Sequence, residues 1–134
     1  MTKHAHGTFE VQMLPQILHN QEAGPLLGRL ALTKQFSGDL QAVGEGEMLT
    51  ATTTVTGSAG YVAIERVMGT LAGRHGSFVL LHTGIMASGA QSLQITVVPD
   101  SGTGALTGLA GELLLTFPDG THAYELVYTL PGLT

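Results

Sequence analysis

The chain alternates apolar and polar residues over short segments separated by glycine and proline, a pattern typical of consecutive β-strands. In one such segment Leu30, Leu32 and Phe36 fall on a single face. Pro118-Asp119-Gly120 predicts a tight turn, because proline presets the backbone and glycine accepts a left-handed conformation. No segment predicts a helix longer than one or two turns. The predicted strands cover 8–14, 29–36, 40–53, 61–68, 77–83, 91–98, 112–117 and 121–130, with loops at 15–27 (including at most one helical turn) and 99–111.

Seven or eight antiparallel strands of this length favour a closed, eight-stranded all-β barrel with little or no helix. Closure removes the exposed sheet edges, which are sites of unwanted strand pairing. A two-sheet sandwich is the alternative. Gly44 and Gly46 lie inside a predicted strand, and glycines there suit barrel corners or bulges better than a flat sandwich strand.

The 134 residues predict one domain, 1–134, with residues 1–6 frayed. Only 11% are charged, against about 25% in ordinary soluble domains, while 43% are apolar. Such a chain must place apolar surface in a cavity or in an oligomer interface, and we expect a homo-oligomer, with a dimer favoured. Five basic residues and a net charge of −5 argue against a nucleic-acid partner.

Cysteine is absent, which excludes disulfides, thiolate nucleophiles and Cys-based zinc sites. The N-terminal residues contain no apolar stretch resembling a signal peptide, and no apolar run approaches the roughly 20 residues of a membrane helix. We therefore expect a cytoplasmic protein without a membrane partner.

Strand alternation identifies the polar groups that share a face, and three of them are the candidate catalytic residues. If their strands are neighbours, Glu47, Glu65 and His82 meet inside the barrel wall. Carboxylates in an apolar pocket acquire a raised pKa and become able to act as general acids or bases. The alternative is that these groups simply bond to one another, to Arg66 or to turn backbone.

A second set of residues is predicted to contact a ligand in the lumen. Two tyrosines, Tyr124 and Tyr128, lie on one apolar face of the last strand, where their hydroxyls can orient a ligand or where their rings simply belong to the core. Gln94 alternates with Ile95 and offers a similar polar contact. The predicted ligand-binding residues are Glu45, Tyr61, Phe78, Gln94, Tyr124 and Tyr128.

Other chemistries have little support in the sequence. The histidines form no HxxxH or HExxH pair, so no metal site is predicted, although a site built across strands stays open. Asp100-Ser101-Gly102 resembles the aspartic protease triplet but occurs once, in a glycine-rich loop. No GxSxG elbow, Walker A loop or GxGxxG motif is present. We expect no cofactor.

Several segments in a fixed order carry a resemblance to a known family. They are Thr33-Lys34-Gln35-Phe36-Ser37-Gly38-Asp39-Leu40, Gly44-Glu45-Gly46-Glu47-Met48-Leu49, Tyr61-Val62-Ala63-Ile64-Glu65-Arg66, Gly73-Arg74-His75-Gly76-Ser77-Phe78-Val79-Leu80 and Val97-Val98-Pro99-Asp100-Ser101-Gly102-Thr103-Gly104. Together they resemble an uncharacterised bacterial domain family assigned to the allene oxide cyclase-like barrel superfamily. The resemblance implies an eight-stranded barrel, commonly dimeric or larger, with a pocket along its axis, but no particular reaction. Related barrels include plant allene oxide cyclases, dirigent proteins and bacterial polyketide cyclases, which fold reactive apolar substrates without a cofactor.

Two functions follow as expectations. The first is a metal-free isomerase, cyclase or lyase that positions a small apolar molecule in the lumen and moves a proton or stabilises charge with Glu47, Glu65 or His82. The second is a carrier or sensor that binds a small hydrophobic ligand without chemistry. A barrel filled by its own side chains, with only a structural role, is the third possibility.

Overall fold

The computed structural model describes residues 1–16 and 26–132, which form eight antiparallel β-strands closed into a barrel. Each strand pairs with the next along the chain, and the last pairs with the first. This confirms the predicted all-β barrel and excludes the sandwich. The strands are β1 (Lys3–Gln16), β2 (Leu26–Gly38), β3 (Leu40–Thr52), β4 (Ala59–Leu71), β5 (Arg74–Ala87), β6 (Ala90–Val97), β7 (Ala110–Thr116) and β8 (Ala123–Thr129).

Helical structure within the described ranges is limited to two 3-10 turns, Gly104–Leu106 and Pro118–Gly120. The second coincides with the turn predicted between the last two strands. Gly120 has a φ of 78° there, which glycine adopts freely, and Asp119 before it has a φ of 51°. None of the helices in these ranges is long and apolar enough to cross a bilayer.

Strands β1, β2, β4 and β5 extend beyond the predicted segments at both ends, because cross-strand pairing continues past them. β1 begins at Lys3, within the residues predicted to fray, and His4 pairs with Val127 of β8. The His4 imidazole also lies near a carboxylate, with Nδ1 2.6 Å from Oε2 of Glu125. In the predicted 15–27 loop, Pro15 and Gln16 belong to β1 and residues 26–27 to β2, whereas 17–25 lie outside the described residues.

The two mid-strand glycines of β3 do not mark a bulge. Pairing of β3 with β4 is continuous from Leu40 opposite Leu71 to Thr52 opposite Ala59. Both glycines face inward, where a side chain at Gly46 would collide with the backbone of Ile64. Their role is therefore close approach inside a curved wall.

The barrel is closed at one end by packed apolar side chains. This packed end contains the β2–β3 and β4–β5 turns and the 98–109 loop, whose Leu106 and Leu109 are buried over the lumen. The Tyr124 hydroxyl donates to the carbonyl of Ser37 at 2.9 Å and accepts from the amide of Leu40 at 2.9 Å. This pair of bonds fixes the β2–β3 turn against β8.

Candidate functional site

Three polar side chains meet inside the barrel, in an otherwise apolar layer of the lumen. Oε1 of Glu65 lies 2.9 Å from Nζ of Lys34 and 2.7 Å from Nε2 of His82. Glu65 is fully buried, while His82 and Lys34 are 4% and 6% exposed. We call Lys34, Glu65 and His82 the buried triad. Strands β2, β4 and β5 each contribute one member through an inward-facing position.

The electrostatics of the triad keep Glu65 ionised. Burial raises the pKa of Glu65, but the hydrogen bond with His82 and the positive charge of Lys34 together lower it below its ordinary value. An ionised carboxylate only accepts hydrogen bonds, so Nε2 of His82 carries the proton of that bond. In the neutral imidazole this leaves Nδ1 as the basic nitrogen.

The second carboxylate oxygen of Glu65 occupies a niche made by a missing side chain. A Cβ at Gly44 would lie 2.5 Å from Oε2 of Glu65 and 3.2 Å from Cε2 of Phe36. Among the buried side-chain polar atoms of the described residues, Oε2 alone lacks a hydrogen-bond partner. Because native proteins leave few buried polar atoms unpaired, such an atom calls for an explanation.

Lys34 is the member of the triad that sequence reasoning missed. Its Nζ lies 5.0 Å from the ring centroid of Phe9 and 5.9 Å from that of Phe36, at cation–π distance. The alternation of β2 contained the signal, since Lys34 stands between Leu32 and Phe36 on the inward face. A lysine in the middle of an apolar face requires a buried partner, and Glu65 is that partner.

Next to the triad, the lumen opens into a cavity of about 370 Å³ at the end opposite the packed end. We call it the mouth cavity. Tyr61 and Gly84 line it, and both face inward on the strands that carry Glu65 and His82. A strand rises about 3.3 Å per residue, so His82 lies roughly 7 Å deeper along β5 than Gly84. The other inward-facing residues of the lining include Met13, Met48, Thr50, Ala59 and Met86.

Tyr61 connects the mouth cavity to the triad. Its ring covers Gly84 and occupies the space that a side chain there would need. Burial and the negative charge of Glu65 raise the pKa of Tyr61, which keeps its hydroxyl protonated. Tyr61 therefore presents an O–H donor inside the same lumen as the triad.

The other predicted aromatic ligand contacts are core residues at or toward the packed end. Phe78, Tyr124 and Tyr128 are 1%, 3% and 5% exposed and belong to the main hydrophobic cluster. Burial raises the pKa of both tyrosines. None of the three lines the mouth cavity.

The structure places Glu45, Glu47 and Gln94 on the outer surface, away from the lumen. Glu47 accepts a hydrogen bond from Nε of Arg29 at 2.6 Å and does not meet Glu65 and His82. The expectation that these three meet is wrong for Glu47. The alternation of β3 grouped its glutamates correctly, but the residues that face inward are leucine, alanine, glycine, methionine and threonine. Small residues belong there because Glu65 and Phe36 fill the space.

The other histidines of the described residues form no site with the triad. His4 and His6 lie on the outer face near Glu125, and His75 is exposed near the start of β5. The His122 ring is tilted against Phe9 and edge-on to Phe117, with centroids 5.0 and 4.8 Å apart. His19 lies outside the described residues. Within the described ranges no group of three or more His, Asp or Glu is arranged to hold a metal ion.

Comparisons with known proteins give a family but no activity. None of the curated proteins compared with the chain matches it. The crystal structure of a protein of unknown function from the DUF3224 family of Shewanella oneidensis is 46% identical, with a TM-score of 0.94. That match covers 99% of this chain and 100% of the other. Residues 5–128 match the family model of DUF3224, proteins of unknown function. The chain therefore belongs to the DUF3224 family.

Proposed function

We propose that this protein is a cofactor-independent isomerase- or cyclase-type barrel that acts on a small apolar molecule in its lumen. The observation that carries the proposal is the buried triad, one layer below the mouth cavity. Apolar pockets with a few convergent polar groups are the usual sites for small molecules.

A role only in stabilising the fold explains the buried triad less well than a role in chemistry does. Removing two charges from water costs several kcal/mol per ion, so a buried ion pair is often no more stabilising than apolar side chains of the same volume. The lumen contains leucine, valine and phenylalanine at neighbouring positions, so the fold accommodates apolar residues there. The unpaired Oε2 of Glu65 adds to the cost. A role in proton transfer explains why charged side chains occupy this buried position.

The triad also changes the mechanism expected from the sequence. A carboxylate with a lowered pKa is a poor proton donor near neutral pH, so Glu65 is not the general acid. His82 is the group that exchanges a proton, and it keeps a small exposed fraction whereas Glu65 has none. Glu65 orients the imidazole and stabilises its positive form, and Lys34 holds Glu65 in place. Glu47, on the outer face, has no part in this proposal.

A carrier or sensor for a hydrophobic ligand is the alternative function. The apolar side chains that predominate in the mouth cavity favour it, since methionine and other apolar groups there give burial without chemistry. Both functions require a ligand in the same cavity. They differ in whether the ligand is changed.

Four finer expectations from the sequence belong to the same proposal. A closed eight-stranded barrel with a cavity at one end supports kinship with the allene oxide cyclase-like barrels. The net charge of −5 supports the absence of a nucleic-acid partner. A cytoplasmic location and a homo-oligomer stay proposals.

Ligand binding is tested first, by titration with the apolar fluorescent probe anilinonaphthalenesulfonate and by native mass spectrometry of protein purified from its source. Ala59→Phe fills the cavity from an inward-facing position of β4 and should abolish binding. Ala87→Phe, at an exposed position of β5, is the matched control. Equal binding by both variants would exclude the lumen as the site.

Chemistry is tested on the molecule found by mass spectrometry. We expect His82→Gln to retain binding and to lower turnover by roughly 100-fold or more, the usual contribution of a general base. Turnover at the wild-type rate would exclude the isomerase. A ligand recovered unchanged after incubation with the wild type would favour the carrier.

A further inference from the structure

Where the mouth cavity borders the triad, an O–H donor on the cavity wall, Tyr61, lies near a base of the triad, His82, and this combination indicates a substrate class. Tyr61 and His82 sit on neighbouring strands, with Tyr61 opposite Gly84 and Ala63 opposite His82. The Tyr61 ring extends over Gly84 toward the strand that carries His82. Glu65 influences both groups, through its bond to Nε2 of His82 and through its charge near the Tyr61 hydroxyl.

We propose that the protein isomerises small apolar carbonyl compounds through an enolate, with His82 as the base and Tyr61 as the hydrogen-bond donor to the carbonyl oxygen. This inference rests on the proposed function and adds the substrate class and a second catalytic residue. A carbonyl compound fits because its oxygen needs one donor, while the rest of the molecule contacts methionine and other apolar side chains of the mouth cavity.

The proposed steps require no co-reactant. Nδ1 of His82 takes a proton from the carbon next to the carbonyl, and the C–H electron pair forms a carbon–carbon double bond. The carbonyl π pair moves onto oxygen, where the Tyr61 hydroxyl stabilises the negative charge by a hydrogen bond. In a β,γ-unsaturated substrate the imidazolium then gives the proton to the γ carbon: the pair on oxygen restores the carbonyl, the pair between the carbonyl and α carbons moves between the α and β carbons, and the pair of the old double bond forms the new C–H bond. The product is an isomer of the substrate.

Glu65 and Lys34 are positioning residues in this scheme. Glu65 accepts a hydrogen bond from Nε2–H of His82. This bond leaves Nδ1 free for the substrate, and the carboxylate stabilises the imidazolium once it forms. Lys34 donates to the same oxygen of Glu65 from β2. Neither needs to touch the substrate, which agrees with the full burial of Glu65.

Gly84 and Ala63 provide the room that this geometry needs. Any side chain at Gly84 would collide with the Tyr61 ring. Ala63, 2% exposed, stands opposite His82 and leaves space next to the imidazole. The small residues thus leave room for two larger functional side chains at adjacent inward-facing positions.

The test uses the β,γ-unsaturated isomer of cyclohexenone, a small apolar ketone whose conjugation is followed by ultraviolet absorbance. Its binding is measured separately, from chemical shift changes of the protein methyl groups and by competition with anilinonaphthalenesulfonate. Proton removal is measured in heavy water, as deuterium uptake next to the carbonyl. We expect the wild type to bind the ketone, to exchange its protons and to form the conjugated isomer.

Variants then assign the roles. His82→Gln should lower both exchange and isomerisation by about 100-fold or more, and Tyr61→Phe should lower kcat by about 100-fold or more while the ring keeps ketone binding unchanged. Glu65→Asp should lower kcat more than it changes KM, as expected for a positioning residue. Thr83→Val, next to His82 but on the outer face, is the control and should match the wild type.

Each outcome has a distinct meaning. A ketone that binds without exchange above the buffer rate would overturn this inference and leave the proposed lumen site intact. Exchange that survives in Tyr61→Phe and His82→Gln would overturn the assigned roles. Failure of both the ketone and the fluorescent probe to bind the wild type would contradict the proposed function itself, and with it this inference.

Discussion

The two ends of the barrel are built from the same strands but are filled differently. At the packed end, Leu71, Phe78 and Leu126 are at most 1% exposed, and the 98–109 loop covers them. At the other end, Met86 and Tyr61 are half-buried and border the mouth cavity. The buried triad lies between these regions. One end of the lumen is therefore a packed core, and the other contains open space.

The difference arises from side-chain volume rather than from a change of backbone. β5 keeps one pairing register with β4 from Arg74 to Met86. Along its inward face the residues change from phenylalanine and leucine to histidine, glycine and methionine. A regular wall can thus be both a core and a site, depending on which side chains it directs inward.

The largest expected effect is on the free energy of unfolding, and two positions on the same face of β5 are compared to measure it. Phe78→Ala removes a buried ring at the packed end and should lower the free energy of unfolding by about 3–5 kcal/mol. Met86→Ala borders the mouth cavity and should cost less than about 1 kcal/mol, because little packing is lost. Urea unfolding followed by far-ultraviolet circular dichroism measures both. Equal losses would show that the two ends pack alike.

The second prediction compares an ion pair inside the wall with one outside it. Glu65→Gln leaves Lys34 buried without its counter-charge and should cost about 3–5 kcal/mol. Glu47→Gln breaks an exposed pair with Arg29 and should cost about 0–1 kcal/mol. The same urea experiment measures both. A small effect at Glu65 would contradict a tightly packed triad.

The same pair of variants predicts a pH dependence. The pKa of Glu65 is lowered in the folded state, so its contribution to stability is fully present above the ordinary value of 4.5. That contribution is lost as the pH falls below 4.5 and through the folded-state pKa. In Glu65→Gln the free energy of unfolding should therefore change less with pH below 4.5 than it does in the wild type. In Glu47→Gln it should keep most of the wild-type dependence on pH. If the free energy of unfolding of Glu65→Gln and of the wild type depended on pH in the same way, the lowered pKa of Glu65 would not be the cause of the acid destabilisation.

The third prediction compares two tyrosine hydroxyls. Tyr124→Phe leaves the Leu40 amide at the packed end without its acceptor and should cost about 1–3 kcal/mol. Tyr61→Phe at the mouth cavity should change the free energy of unfolding by less than about 0.5 kcal/mol. Thermal unfolding of the two variants distinguishes a structural hydroxyl from one available for a ligand. If Tyr61→Phe lost more stability than Tyr124→Phe, the Tyr61 hydroxyl would be the structural one.

The smallest effect on folding concerns the outer surface of the same wall. Apolar residues on β3, β4 and β5 face outward, among them Leu49, Ile64 and Leu81, which are 48%, 57% and 40% exposed. If a second copy covers this face, Ile64→Lys should convert an oligomer into a 13.9 kDa monomer with little change in unfolding. Leu114→Lys, on β7 and 48% exposed, is the control. Sedimentation of the wild type as a monomer at micromolar concentration would exclude the expected oligomer.

The alternation of single strands was readable from the sequence because side chains in a strand alternate strictly between two faces. It correctly grouped Glu65 with Tyr61, and it grouped Tyr124 with Tyr128. It also paired Glu45 with Glu47, but it could not say which group faces inward. That choice depends on neighbouring strands, since the glycines of β3 face inward to make room for Glu65 and Phe36.

The sequence by itself determined the all-β class, the order of the strands and the faces that their residues share, because these follow from local periodicity and turn chemistry. Tertiary structure decided the rest. Lys34 and Glu65 are 31 residues apart, and only closure of the barrel in one register brings their charged groups to 2.9 Å. A buried charge is stable only beside a partner, and such a partner is chosen by the fold rather than by the neighbouring sequence.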